Sequence, residues 1–223
     1  MYDAQAFGLV RSLIDENRWL GTAFAFIRQN WFVTAKHVVI EHGAPRRDLA
    51  IQVLGNKSLV RAIYPHPSRD IALLVLDEGL CSVPFMPAAD VLGQRRLLLS
   101  LGYSPRIPDD VEPLRFRIPK PDDRPEGPEF PIYTHIVDAY AVETRERNDG
   151  TEHLMVFDAP NSLGGNSGGP VINETGGVVA VMTEQHPNGE TILVKATSVI
   201  PMLGLLRLPP IADELQNASV KDR

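Results

Sequence analysis

Residues 164–171, GGNSGGPV, carry the most information about how this chain folds and what it does. Four glycines at positions 164, 165, 168 and 169 surround Ser167, and the apolar run PVI begins immediately afterwards. Glycine accepts positive φ values and lets another backbone approach without a Cβ atom in the way. The segment is therefore typical of a tight turn that leads into a strand and presents a serine to a ligand.

Two further segments supply the residues that such a serine needs. TAKHV at 34–38 places His37 directly after the apolar run WFVTA, and SRDIALLVL at 68–76 places Asp70 at the start of a strongly apolar strand. A serine hydroxyl is a poor nucleophile near neutral pH unless a base takes its proton, and that base needs an acceptor that fixes its tautomer. Backbone N–H groups stabilise the oxyanion that forms on attack at an amide, and Gly165 and Ser167 are the candidates.

Around these segments the chain consists of short β-rich runs separated by turn residues. Examples are LGTAFAFI at 20–27, AIQVLG at 50–55, LLLSLGY at 97–103, HLMVFDA at 153–159 and GGVVAVMT at 176–183. Many short strands without alternating helices are typical of antiparallel barrels or a sandwich. The sequence therefore predicts an all-β protein.

This series of strands and turns includes a turn expected at Gln29-Asn30, and three places depart from it. Helical spacing of Phe7, Val10, Leu13 and Ile14 predicts an amphipathic helix over 3–17. Residues 103–133 hold eight prolines, seven acids and five bases, which predicts a long loop because proline cannot donate to a sheet ladder. SVIPMLGLLRL at 198–208 predicts a short C-terminal helix, followed by a polar tail.

The chain order His37, Asp70, Ser167 resembles that of the trypsin-like, chymotrypsin-fold serine peptidases. FDAPNSLGGNSGGPV at 157–171 and GTAFAFIRQNWFVTAKHVV at 21–39 are most similar to the HtrA/Deg-type bacterial branch of that family. The resemblance implies two six-stranded antiparallel β-barrels with a catalytic triad in the crevice between them. His37 and Asp70 would come from the first barrel and Ser167 from the second.

The domain organisation follows from this resemblance and from the composition of the chain. We expect an N-terminal helix at 1–18, a first barrel at 19–90 and a second barrel at 91–208 that contains the proline-rich insertion at 103–133. Residues 209–223 are expected to form a tail or linker. The PDZ-like domain usual in the HtrA/Deg branch does not follow in this sequence.

Two departures from the digestive members of the family affect activation and specificity. Asn166 stands where those enzymes have an aspartate that pairs with a new N-terminus, so we do not expect zymogen activation of that kind. Asn161, six residues before Ser167, is neutral where cleavage after Arg or Lys needs a carboxylate, because a buried guanidinium requires a partner. Small or medium apolar P1 residues are expected, in an S1 pocket lined by Asn161, Ser162, Leu163, Ala180, Val181 and Met182.

Composition narrows the partners and the compartment. The formal charge of −6 gives no basic field for a phosphate backbone, so nucleic acid is not an expected ligand. One cysteine, Cys81, excludes an internal disulfide and is interpreted as a small buried apolar residue. No apolar run is long enough for a membrane span or an export signal, so a cytoplasmic protein is expected. The remaining histidines lack metal-ligand spacing and are interpreted as surface or polar core residues, so neither a metal nor a cofactor is expected: His42, His66, His135, His153 and His186.

The sequence as a whole predicts a serine endopeptidase that forms an acyl-enzyme with a protein or peptide substrate. One alternative is a catalytically silent protease-fold module that binds a partner through the helix at 3–17 or the loop at 103–133. Another is an effector peptidase domain of a larger bacterial signalling or defence assembly. For the loop we predict control over the amides of Gly165 and Ser167, since structureless loops of this length are usually functional or disordered.

Overall fold

The computed structural model describes a six-stranded barrel, a seven-stranded sheet, a small two-stranded sheet and the segments that join them. The described residues are 7–13, 19–53, 56–81, 83–88, 98–103, 132–137, 143–146, 153–158, 167–173, 175–188, 191–198, 204 and 206. They form one short helix, α1 (Lys36–Val39), and fifteen strands: β1 (Phe7–Ser12), β2 (Trp19–Phe26), β3 (Arg28–Thr34), β4 (Ile40–Glu41), β5 (Ala44–Pro45), β6 (Leu49–Val53), β7 (Asn56–Pro65), β8 (Ala72–Leu76), β9 (Leu98–Tyr103), β10 (Ile132–Val137), β11 (Glu143–Glu146), β12 (His153–Asp158), β13 (Pro170–Ile172), β14 (Val178–Asn188) and β15 (Thr191–Ser198).

The first sheet is a closed barrel in the order β1, β2, β3, β8, β7, β6, with antiparallel pairing throughout. Its interior is filled by apolar side chains that alternate along the strands, as the period-2 pattern of the sequence requires. Phe32, Ile51 and Leu74 belong to this interior and have no exposed surface. Phe24 and Phe26 are equally buried but lie on the opposite face of β2 from the interior residues Ala23 and Ala25, and Phe24 packs edge-on against Phe85. The mostly-β fold class is therefore as expected. The first sheet closes with six strands, but one of them, β1, lies outside the bounds of 19–90 expected for the first barrel.

The helix expected over 3–17 is wrong for the residues that the structure describes there, because residues 7–12 form strand β1. This strand pairs with β2 on one side and with β6 on the other, and so closes the barrel. Gly8, Val10 and Ser12 are buried, which is the alternation of a strand. A Cβ atom at Gly8 would overlap the side chain of Ile51. Closure by residues distant in sequence outweighs the local helical spacing.

The turn expected at Gln29-Asn30 is also wrong, because β2 and β3 are joined two residues earlier. Phe26 pairs with Arg28, so Ile27 alone makes the connection, with φ at 64°. A β-branched residue in the left-handed region is strained. The Ile27 N–H donates to Phe85 O (2.9 Å), and the Phe85 N–H donates to Ala25 O (2.9 Å). The segment that leaves the first barrel therefore holds this turn in place.

The second sheet has seven strands in the order β10, β9, β13, β14, β15, β12, β11, so the second six-stranded barrel is not confirmed. The ends of the proline-rich segment differ from the expected loop at 103–133. Tyr103 and Ile132 are antiparallel partners in β9 and β10, and Tyr133 pairs with Gly102. Residues 104–131 and the tail at 209–223 lie outside the described residues. Of the C-terminal helix expected at 198–208 only Ser198, Gly204 and Leu206 are described, and Ser198 is the last residue of strand β15, not part of a helix.

Residues 83–88 connect the barrel to the second sheet. Phe85 bridges to Phe26 in the barrel, and Pro87 bridges to Val178 in β14. Ala88 N–H donates to Val178 O (2.8 Å) and Val178 N–H to Met86 O (2.9 Å). Within the described part of the chain, no helix is long and apolar enough to cross a membrane.

Candidate active site

His37 projects from the single turn of helix that follows β3. Val38 and Val39 turn inward and are buried, whereas the side chain of His37 keeps 48% of its surface exposed. The apolar strand that precedes α1 is anchored in the barrel, with Thr34 and Ala35 fully buried. The imidazole therefore stands at the barrel surface on a rigid base.

Asp70 lies at the end of the loop between β7 and β8 and faces His37 with both carboxylate oxygens. His37 Nδ1 is 2.8 Å from Asp70 Oδ2, and the His37 backbone N–H donates to Asp70 Oδ1 at 2.9 Å. An ionised carboxylate can only accept hydrogen bonds, so the ring nitrogen facing it carries the proton. With Nδ1 protonated, Nε2 is the ring nitrogen whose lone pair can accept a proton. The geometry is that of a base held by an orienting acid.

The loop that carries Asp70 is organised by His66, a residue that sequence reasoning interpreted as surface or polar core. Its Nδ1 accepts the backbone N–H groups of Ser68 (3.3 Å) and Arg69 (3.1 Å). The backbone N–H of His66 donates to Ile71 O (2.9 Å), and Lys36 Nζ donates to the backbone carbonyl of His66 (3.0 Å). One feature of the sequence could have indicated this role: His66 carries an acceptor side chain directly before Pro67. The backbone N–H donors, at Ser68 and Arg69, follow it two and three residues later in the chain.

Burial lowers the pKa of His66, and the positive charges of Arg69 and Lys36 lower it further. Each of these effects disfavours the imidazolium form. The neutral ring is also the form that can accept at Nδ1, since both ring nitrogens of a charged histidine are donors. The electrostatic environment and the hydrogen bonds of His66 therefore favour the same protonation state.

Ser167 lies in a half-buried turn that is docked on the first barrel. The Thr22 N–H of β2 donates to Ser167 O (2.9 Å), and the Gly168 N–H donates to Met182 O of β14 (2.7 Å). Gly168 has φ at +87°, and a Cβ atom there would overlap Thr22 O and Thr34 Oγ1 and approach the Ala35 nitrogen. The turn therefore packs against Thr34 at the end of β3, three residues before His37.

Two further features fit the barrel surface to this turn. The Thr34 hydroxyl donates to Thr22 O (2.7 Å) in a buried hydrogen bond, which ties β3 to β2 where the turn docks. A Cβ atom at Gly21 would lie 2.9 Å from both Ser167 O and a methyl carbon of Val38. Only glycine at position 21 leaves room for the Ser167 carbonyl to reach the barrel.

The other predicted site residues divide into two groups. Gly165, Asn166 and the S1 residues Asn161, Ser162 and Leu163 lie outside the described residues. Ala180, Val181 and Met182 of the expected S1 wall are buried in β14, and the backbone of Met182 forms hydrogen bonds with the backbone of Gly168 and Gly169.

Cys81 is buried, with Sγ 3.8 Å from Gln29 O. In the ranges that the structure describes, no three His, Cys, Asp or Glu side chains cluster as metal ligands would.

Comparison with protein families finds one match. Residues 21–181 match the model of the trypsin-like peptidase domain, a span that contains His37, Asp70 and Ser167. No curated protein matches the chain in sequence.

Several solved structures share the fold at low sequence identity. The Rv3671c protease from M. tuberculosis, in its active form, superposes with a TM-score of 0.62 at 20% identity, over 91% of this chain and 80% of that one. The HtrA-type protease AlgW with a decapeptide gives 0.59 at 17% identity, over 92% of this chain and 64% of that one. The MamO protease domain from Magnetospirillum magneticum gives 0.59 at 12% identity, over 92% and 97%.

Proposed function

This chain belongs to the trypsin-like peptidase domain family, and we propose that it is a serine endopeptidase that hydrolyses peptide bonds through an acyl-enzyme intermediate. Ser167 is the nucleophile, His37 the general base and acid, and Asp70 the residue that orients His37. One observation supports this assignment above all. The Asp70 carboxylate accepts from both the ring and the backbone of His37, at 2.8 and 2.9 Å.

In the proposed reaction, Ser167 Oγ attacks the carbonyl carbon of the substrate while His37 Nε2 takes the hydroxyl proton. The imidazolium formed in this step is stabilised by the negative charge of Asp70. His37 then gives its proton to the leaving amine nitrogen as the carbon–nitrogen bond breaks, which leaves an ester on Ser167. A water molecule then attacks the ester carbonyl while His37 takes its proton. His37 returns this proton to Ser167 Oγ as the ester bond breaks, which releases the acid product and restores the free serine hydroxyl.

The oxyanion of each tetrahedral intermediate is assigned to the backbone N–H groups of Gly165 and Ser167. Preorganised donors aimed at a developing charge make one of the largest contributions to catalysis in this reaction class. The contacts of Ser167 and Gly168 with β2 and β14 support a rigid turn of the kind that such donors need.

Substrates of the proposed enzyme are proteins or peptides with small or medium apolar P1 residues. The neutral Asn161 supports this preference, because a pocket for Arg or Lys needs a buried carboxylate at that position. A peptide library cleaved mainly after Arg or Lys would contradict it.

The decisive test uses a fluorophosphonate, which reacts preferentially with an activated serine hydroxyl. The full chain should be labelled at Ser167, and Ser167→Ala and His37→Ala should abolish both labelling and casein cleavage. Ser58→Ala is the matched control, since its hydroxyl accepts from the Glu78 N–H (3.1 Å) in a different part of the barrel. A folded wild-type protein that is neither labelled nor active would support the catalytically silent module instead.

A further inference from the structure

His66 holds together the five-residue loop that ends at Asp70. Its ring accepts two backbone N–H groups, at Ser68 and Arg69, and these two residues directly precede the carboxylate that contacts His37. Its backbone N–H pairs with Ile71 O at 2.9 Å, which closes the loop at the first residue of the buried apolar run. The His66 side chain therefore makes the hydrogen bonds that hold the backbone of this loop together.

Lys36, the residue next to His37, also binds this loop. Lys36 Nζ donates to His66 O at 3.0 Å, while the His37 N–H donates to Asp70 Oδ1 at 2.9 Å. Two consecutive residues of α1 thus hold the first and the last residue of the loop. A change in the turn between these two points moves the Asp70 carboxylate relative to the His37 ring.

We propose that His66 is a positioning residue for catalysis: by accepting the Ser68 and Arg69 N–H groups at Nδ1, it fixes the turn that presents Asp70 to His37. This inference rests on the proposed function, because it assigns His66 a role through the Asp70–His37 pair. His66 is assigned no contact with the reacting atoms and acts on them through the backbone of residues 68–70.

The role requires the neutral imidazole, since a protonated Nδ1 is a donor that faces two other donors. The charged groups that act on the ring, Lys36 on α1 and Arg69 in the loop itself, are both positive and oppose that protonation. Their effect and that of burial keep the turn intact to a lower pH than an ordinary histidine would allow. Acid that protonates His66 should therefore loosen the Asp70 loop.

An asparagine substitution at position 66 tests whether His66 acts as a hydrogen-bond acceptor or only fills space. An Asn side chain before proline accepts backbone N–H groups two and three residues ahead through its Oδ1, and it does not titrate. His66→Asn should therefore preserve the turn, whereas His66→Ala removes the acceptor. His42→Asn is the matched control, because His42 is an exposed histidine at a positive-φ turn position that asparagine tolerates.

The experiment measures the second-order rate constant of fluorophosphonate labelling at Ser167 on the full chain, from pH 5 to 8. We expect His66→Ala to label about tenfold more slowly at pH 8, since small displacements of catalytic groups carry costs of this size. His66→Asn and His42→Asn should stay within about twofold of wild type at pH 8. The ratio of the His66→Asn rate to the wild-type rate should then rise as the pH falls, because only wild type loses its acceptor when His66 is protonated. Any effect of pH on the general base is common to both proteins and cancels from the ratio.

Asp70→Asn separates failure of this inference from failure of the proposed function. If Asp70→Asn labels at the wild-type rate, the proposed triad is wrong. If Asp70→Asn is slow but His66→Ala is not, or if His66→Ala and His66→Asn are equally slow at pH 8, His66 does not position Asp70 through its acceptor. If His66→Ala does not fold, the pH-dependent ratio for His66→Asn decides, and a flat ratio overturns the inference.

Discussion

Asp70 receives two hydrogen bonds from His37, one from ring Nδ1 at 2.8 Å and one from the backbone N–H at 2.9 Å. The backbone contact fixes the position of the carboxylate relative to α1, and the ring contact fixes the tautomer of the imidazole. Because each oxygen has its own donor, the carboxylate cannot rotate without losing one of them. Replacing one carboxylate oxygen of Asp70 by an amide therefore changes the tautomer of His37.

Asp70→Asn should lower kcat by roughly 10⁴-fold, the size of loss that a wrong histidine tautomer causes in a Ser-His-Asp triad. The asparagine can offer its oxygen to the His37 N–H, which directs its NH₂ group at Nδ1 and moves the ring proton to Nε2. Asp77→Asn is the control, an exposed aspartate just after β8. Peptidase assays on both variants, with circular dichroism to verify folding, test this prediction. Near-normal activity of Asp70→Asn would contradict the role of Asp70.

Gly168→Ala should destabilise the protein by more than the cost of positive φ alone, which is about 1–2 kcal/mol. The added methyl group would overlap Thr22 O and Thr34 Oγ1, and neither lies at the end of a flexible side chain. Gly43→Ala isolates the φ effect, because Gly43 has φ at +81° and nothing within 4 Å of an added Cβ. Urea denaturation of the two variants gives the comparison. Equal losses of stability would mean that the Ser167 turn is not tightly docked on the barrel.

Ile27→Asn should raise the free energy of unfolding by about 0.5–1 kcal/mol, because asparagine tolerates the left-handed backbone and a β-branched side chain does not. Leu59→Asn is the control, since it also replaces a partly exposed apolar residue but lies within strand β7. Thermal and urea denaturation measure both variants. A loss of stability in Ile27→Asn would show that the side-chain packing of Ile27 outweighs its backbone strain.

The lowered pKa of His66 predicts the direction of one pH effect on stability. Near pH 6.5 the unfolded chain takes up this proton more readily than the folded chain, so protonation favours unfolding. The contribution of His66 is fully present above about pH 6.5 and is lost as the pH falls towards the folded pKa. Urea denaturation at several pH values should show wild type losing more stability on acidification than His66→Asn, whereas His42→Asn should follow wild type. Parallel curves for wild type and His66→Asn would contradict the prediction.

Replacement of residues 105–131 by a short Gly-Ser bridge tests the predicted regulatory loop. Because Tyr103 and Ile132 are antiparallel partners, a tight turn can join β9 to β10 without stretching the sheet. We expect a several-fold change in kcat or in the rate of fluorophosphonate labelling, with an unchanged melting temperature. Unchanged turnover and unchanged melting would show that the segment does not control the Ser167 turn.

Sequence reasoning predicted the all-β class because alternating apolar runs and glycine-rich turns are local features. It also selected His37, Asp70 and Ser167, since the three motifs needed no knowledge of distances. It missed His66, whose importance depends on which backbone groups its ring faces. An isolated histidine before a proline has no pattern that reveals those contacts.

By itself, the sequence determined most of the strand-forming segments, the order of the three catalytic candidates and the family resemblance that they carry. Only the tertiary structure decided that residues 7–12 form a strand and that Ile27 alone makes the β2–β3 turn. It also decided that Gly168 must be glycine because of Thr22 and Thr34. These outcomes depend on partners such as Ile51 and Phe85, which are distant in sequence. Barrel closure satisfies the backbone hydrogen bonds of an edge strand, and this energy is large enough to override a local helical spacing.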